Sequence, residues 1–218
     1  MKENLPQDLH YSEKQVAILL ATEQLIAEKG YSASSVRDIA QAAGVNVAMI
    51  SYYFGSKEKL LEALFVYRID SSRVVLQALL ENTVLNPFEK LEILVTSYVD
   101  KLINNFAFYQ IMNREPAIKE IKNISKIVNA TKQRNQGMIR QLIDEGQSKN
   151  FFKNTVDVSL LMHTMMGTLM SVCNNADYLK IIYQSEHLSE EEFGNMMRER
   201  LKVHLFQMMK AALTQPIT

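Results

Sequence analysis

Cysteine is nearly absent. The chain of 218 residues has one, Cys173, so no intrachain disulfide can form and no cysteine cluster can hold zinc. Proline and glycine are sparse, at four and seven. Pro6, Pro87, Pro116 and Pro216 stand at the edges of helical patterns and none interrupts one, as an all-helical chain requires. Alternating Val/Ile/Thr runs with hairpin dipeptides are missing, and so are internal repeats and low-complexity tracts. Net charge is missing too: 24 Lys+Arg balance 24 Asp+Glu, so composition alone gives no sign of a polyanionic partner. The polar start carries no signal-peptide core, which together with the single thiol leads to the expectation of a cytoplasmic protein. Val158 to Ala176 has no formal charge and approaches the length of a membrane span. Its Ser159, His163, Thr164, Thr168, Ser171, Asn174 and Asn175 point instead to a buried helix of a soluble protein.

With 47% hydrophobic residues the chain can build a large core, and the pattern predicts an all-α fold of about nine helices. Ser12 and Gln15 form a capping box for a helix over 13–29, and Gly30 ends it. Two short helices follow. Ser35 can cap the first, with Asp38 at its third position; the second covers about 47–53. Between them Gly44 permits a sharp turn and Asn46 can cap the second. A helix from Ser56 to about Glu81 is expected next, then one opened by Asn86-Pro87, a short one over about 106–113, and a long one from Pro116 to about Lys149. Asn154 and Asp157 open a helix to about Asn175, and a Ser189/Glu192 capping box opens the last.

Residues 35–54 thus have the spacing of a helix-turn-helix, whose second helix enters the DNA major groove. Val36, Ile39, Ala40, Val45, Ile50 and Phe54 supply its miniature core. Asn46 and Ser51 offer hydrogen bonds to base edges, and the methyls of Val47 and Ala48 suit thymine. The segments Gly30-Tyr31, Ser34-Ser35-Val36-Arg37-Asp38-Ile39-Ala40, Ala43-Gly44-Val45 and Ile50-Ser51-Tyr52-Tyr53-Phe54-Gly55-Ser56-Lys57 to Leu61 resemble the DNA-binding domain of the TetR family of bacterial repressors. The resemblance covers residues 13–61 by motif and the remainder by architecture.

That resemblance implies a DNA-binding domain over 1–60 and a helical effector-binding and dimerisation domain over 61–218. It implies that Lys57 grips a DNA phosphate and that Tyr52 and Tyr53 lie against the backbone. Ser35 would contact the backbone, Arg37 a base or phosphate, and Asn46, Val47, Ala48 and Ser51 would read bases. Many members have Tyr where this chain has Ser51, so base preference at that step is open. The implied partners are a double-stranded DNA operator, a small-molecule effector and a second copy of the chain; no membrane, cofactor, metal or catalytic residue is expected.

Spacing supports dimerisation independently. The stripe Leu161, Met165, Leu169 and Val172 and the stripe Met197, Leu201, His204, Leu205 and Met208 are the expected interface, because the first of these helices is apolar beyond one stripe and needs burial on two sides. Twelve methionines suit an adaptable apolar pocket, for which Phe108, Tyr109, Met112, His163, Met166, Met170, Asn174 and Tyr178 are candidates. Core filling explains the same residues, and an inert core thiol explains Cys173. The expected function is a ligand-responsive transcriptional repressor released from a palindromic operator by a small, substantially apolar effector. The alternatives are a helical protein-binding adaptor or a helical enzyme, although no Ser/His/Asp set, His-x-x-x-His pair or phosphate-binding Gly loop supports the latter. Residues 1–60 carry six cations and seven anions, which limits how a phosphate backbone can be held there.

Overall fold

The structure is a computed structural model describing residues 11–69, 71–114, 118 and 121–214. Four-fifths of the described residues are helical, and none of them is in a strand. The helices are α1 (Glu13–Lys29), α2 (Val36–Ala42), α3 (Val47–Phe54), α4 (Lys57–Ile69), α5 (Ser71–Glu81), α6 (Pro87–Asn104), α7 (Phe106–Arg114), α8 (Lys122–Ser148), α9 (Val158–Asn174), α10 (Ala176–Ile182) and α11 (Glu190–Thr214). The stretch expected as one helix to Glu81 is described as α4 and α5, and α10 was not expected at all. The roles of Pro6, Pro116 and Pro216 lie outside the described residues.

Local chemistry sets most helix starts. Ser12 accepts from Gln15 N while the Gln15 side chain accepts from Ser12 N at 3.0 Å, the reciprocal box expected from the sequence. Asn86 and Glu89 do the same for α6, with Pro87 at its first position. Ser189 and Glu192 do so for α11, and the Ser189 bonds hold the Glu192 carboxyl below its usual range. Helix ends are less regular. Asn150 (φ 60°) and Gln184 (φ 50°) adopt the left-handed conformation that glycine usually supplies, closing α8 and α10. Phe151 N bonds Gly146 O at 2.8 Å and Ser185 N bonds Lys180 O at 2.8 Å.

The chain divides into two compact units: Met1–Ser71 with Ala107–Lys132, and Ser72–Phe106 with Gln133–Thr218. The boundary therefore differs from the expected 60/61 division. The reason is a shared core: Phe108, Ile111, Ile118 and Ile124 are buried in one cluster with Ile18, Ile39, Ile50 and Phe65. Phe65 and Phe108 meet edge to face at 4.9 Å. The first unit also holds a buried ion pair that the sequence did not reveal. Arg68 Nε and Nη2 grip Glu23 Oε2 and Oε1 at 2.6 and 2.8 Å, tying α4 to α1.

In the second unit α6 packs on α9 and α11, and α9 on α10 and α11. Lys90, almost wholly buried, pairs with Glu145 at 2.8 Å. Burial penalises the Glu145 carboxylate, but hydrogen bonds from Lys149 and Lys90 outweigh it and hold the carboxyl below its usual range. Phe152 packs edge to face on Phe88 at 5.2 Å and lies close against Gly146, where an added Cβ would sit 2.1 Å from its Cδ2. Burial pushes the Cys173 thiol up to about 11, so it is not a reactive thiolate at neutral pH. No described helix is long and apolar enough to cross a membrane.

Candidate nucleic-acid interface

The first unit builds a reading helix from local rules. Helix α2 starts at Ser35, whose backbone N donates to Asp38 Oδ2 at 2.8 Å while Asp38 N donates to Ser35 Oγ at 3.2 Å. The chain then turns at Gly44 (φ 64°), where Val45 N bonds Ala40 O at 2.9 Å and Gly44 N bonds Gln41 O at 3.2 Å. That pair of bonds is a Schellman closure, which needs a left-handed residue at this point. Asn46 follows at once and caps α3, its Oδ1 accepting from Ala48 N at 2.9 Å. Ile39, Ala40, Ile50 and Phe54 are buried, with Val36 and Val45 packed against them, as the spacing predicts.

Burying Ile50 and Phe54 turns the opposite face of α3 outward. Val47, Ala48, Ser51 and Tyr52 are exposed, Tyr52 at 83%. The face carries no formal charge, and its small groups leave room for a base edge to approach. Tyr53 is half-buried and meets Tyr52 edge to face at 5.1 Å. Arg37 is exposed on α2. Lys57 begins α4 but does not extend freely. Its Nζ donates to Tyr31 O at 2.5 Å and lies 4.0 Å from the Tyr31 ring centroid. Burial lowers the affinity of Lys57 for its proton, only partly offset by the Asp38 charge.

The sequence-predicted set is therefore brought together on one unit, with one qualification. The Ser35 hydroxyl donates its single proton to Asp38 Oδ2 at 2.6 Å, so it offers a phosphate no donor until it turns away. The bonds from Ser35 in turn hold the Asp38 carboxyl low. Tyr31, part of the resembling segment but given no role from the sequence, is the residue that fixes Lys57; nothing in a Gly-Tyr pair signals a contact 26 residues away.

The expected effector and interface residues fare differently. Phe108 is buried, and Tyr109 and Met112 pack against it, in the core of the first unit. Met166 and Met170 are half-buried in the second unit, but His163, Asn174 and Tyr178 are exposed. His163 Nδ1 bonds Ser159 O at 2.8 Å and Asn174 Nδ2 donates to Met170 O at 2.7 Å, both on their own helix, so neither is an interior polar group seeking a ligand. The expected interface stripes lie mostly inside a single copy. Leu161, Met165, Leu169, Met197, Leu201 and Leu205 are covered by the chain's own atoms, because α6 takes up that side of α9 and α11. Val172 and Met208 are half-buried and His204 is exposed. The free face of α9 runs instead through Leu160, His163, Thr164, Gly167 and Ser171, with Leu160 66% exposed and Val203 of α11 57% exposed.

A capped, outward-facing second helix on a three-helix core defines a helix-turn-helix DNA-binding protein. Residues 18–64 match the family model of bacterial regulatory proteins of the tetR family, and residues 87–203 match the tetracyclin repressor-like C-terminal domain. The chain belongs to the TetR family of transcriptional regulators. It is 27% identical over 188 residues to the probable HTH-type transcriptional regulator YttP of Bacillus subtilis, covering 85% of this chain and 89% of that one. Among solved structures it resembles the fatty acid degradation regulator FadR of Bacillus halodurans at 25% identity and a TM-score of 0.64, covering 90% of this chain and 96% of that one. FadR of Bacillus subtilis in complex with stearoyl-CoA shares the fold at 19% identity and a TM-score of 0.65, covering 91% and 98%.

Proposed function

We propose that this ligand-responsive DNA-binding regulator acts as a homodimeric repressor on a palindromic operator, and that a small, substantially apolar effector releases it. The observation that carries the DNA reading is the uncharged exposed face of α3, capped by Asn46 and flanked by Lys57. Val47, Ala48, Ser51 and Asn46 read bases, Tyr52 and Tyr53 lie against the sugar-phosphate backbone, and Arg37 and Lys57 take phosphates. A dimer sets two such helices about 34–36 Å apart, in successive major grooves. The second copy docks on the free face of α9 and α11. Leu160 and Val203 are large apolar groups exposed on neighbouring helices, and α9 has no charge whose desolvation would oppose burial.

The likeness to an acyl-CoA-bound FadR and the methionines Met166 and Met170 support an apolar effector. Its binding changes the separation of the reading helices through α4, whose Leu60, Leu61, Leu64 and Phe65 are fixed in the core that holds α1–α3. A coupling of about 1–3 kcal/mol changes DNA affinity about 5–150-fold. The reading contains no catalytic step and places the protein in the cytoplasm, where the operator is.

Selection from a random duplex pool tests the reading. It is expected to return a palindrome with half-sites one helical turn apart, bound by a dimer. Lys57→Ala is expected to weaken binding to every sequence alike and to reduce the salt slope by about one. A pool that yields no enriched sequence overturns the repressor reading.

A further inference from the structure

We propose that Tyr31 is a positioning residue for the phosphate contact of Lys57, its ring and its carbonyl oxygen together holding the ammonium in place before DNA arrives. The inference rests on the reading of Lys57 as a phosphate ligand and adds the residue that makes it one. Lys57 Nζ lies 4.0 Å from the Tyr31 ring centroid and donates to Tyr31 O at 2.5 Å. Tyr31 is itself fixed. It follows Gly30 (φ 84°), and buried Ser34 closes the turn, with Ser34 Oγ donating to Gly30 O at 2.8 Å and Ser34 N to Tyr31 O at 3.3 Å.

The arrangement is poorly explained as a stability device. Lys57 stands at the first position of α4, where the helix dipole disfavours a cation. It is half-buried, and burial works against its charge. Several other partly or wholly buried cations are paired with carboxylates: Arg68 holds Glu23, Lys90 holds Glu145, and Lys202 holds Asp100 and Glu199. Lys57 has the Tyr31 carbonyl and ring, and among the described residues no carboxylate lies within ion-pair distance of its ammonium. An ammonium has three donors and the carbonyl takes one, which leaves capacity for an anion from outside. A lysine already held in one geometry also loses less side-chain freedom when phosphate arrives.

Two measurements on the intact protein test this. Lysine-labelled NMR is expected to show the Lys57 ε-methylene signals shifted upfield by the Tyr31 ring, in the wild type and in Tyr31→Phe but not in Tyr31→Leu. Binding to a duplex selected by the wild-type protein is expected to weaken about two- to fivefold in Tyr31→Leu and to be unchanged in Tyr31→Phe. In a Lys57→Ala background, Tyr31→Leu is expected to cost nothing further. Wild-type ε-methylene signals at ordinary lysine positions, or an equal loss from Tyr31→Leu with and without Lys57, overturns the proposal. Wild-type affinity in Lys57→Ala removes the phosphate contact and the positioning role together, whatever the NMR shows.

Discussion

Helices α3 and α9 both lack formally charged residues, and both turn a face to solvent, but they do so by different means. Helix α3 has eight residues, two of them buried, and its outward face follows from where Ile50 and Phe54 must point. Helix α9 has 17 residues and is apolar on more than one side, so composition allows more than one orientation. Its inward side is decided by packing on α6 and α11. A short helix with a minimal core announces its free face; a long one with apolar groups all round does not.

The comparison can be broken most severely at α9. The double change Leu160→Lys with Val203→Lys is expected to leave the fold intact, to give a monomer by light scattering, and to abolish operator binding at micromolar protein. A chain that stays dimeric would move the interface elsewhere. On the covered side, Met165→Ala is expected to cost about 2–5 kcal/mol of stability through the cavity it leaves, seen in chemical unfolding.

The first unit offers the next effect. Removing the buried carboxylate with Glu23→Ala takes away the bidentate contact of Arg68 that ties α4 to α1 and is expected to cost about 3 kcal/mol, checked by urea unfolding. On the reading face, Ala48→Leu is expected to leave the melting temperature unchanged and to alter base preference by about 1–3 kcal/mol at the positions it reaches, measured by competition between half-site variants. Unchanged preference would take Ala48 out of the base-reading set.

Acid gives the smallest effect. The Glu145 carboxyl is held low in the folded chain, so its contribution is complete above the ordinary carboxylate range. It is lost as pH falls through the folded value. Glu145→Gln is therefore expected to flatten the acid limb of the stability curve relative to wild type, and an identical limb would show that the pair with Lys90 does not contribute there.

What the sequence disclosed follows the range of each interaction. Ser12 with Gln15, Asn86 with Glu89, Ser189 with Glu192 and the Gly44 turn are all contacts within a few residues, and each was legible. Asn150 and Gln184 also end helices locally, but they occupy a conformation whose usual signal is glycine, so the short α10 went unseen. Glu23 with Arg68, and Lys57 with Tyr31, join residues 45 and 26 apart, and no spacing rule links them. The placement of 107–132 with the reading unit was hidden for the same reason, since it rests on Phe108 finding Phe65.

The contact between Gly146 and Phe152 makes the two positions one unit for substitution. A methyl at position 146 would overlap the ring at 2.1 Å, and the backbone there is also engaged, Gly146 O accepting from both Phe151 N and Phe152 N. Gly146→Ala is thus expected to destabilise the chain while Phe152 is present and to be tolerated in a Phe152→Ala background. An aromatic at 152 forbids even a methyl at 146, and a helix-favouring alanine there becomes compatible with the fold only beside a smaller side chain at 152.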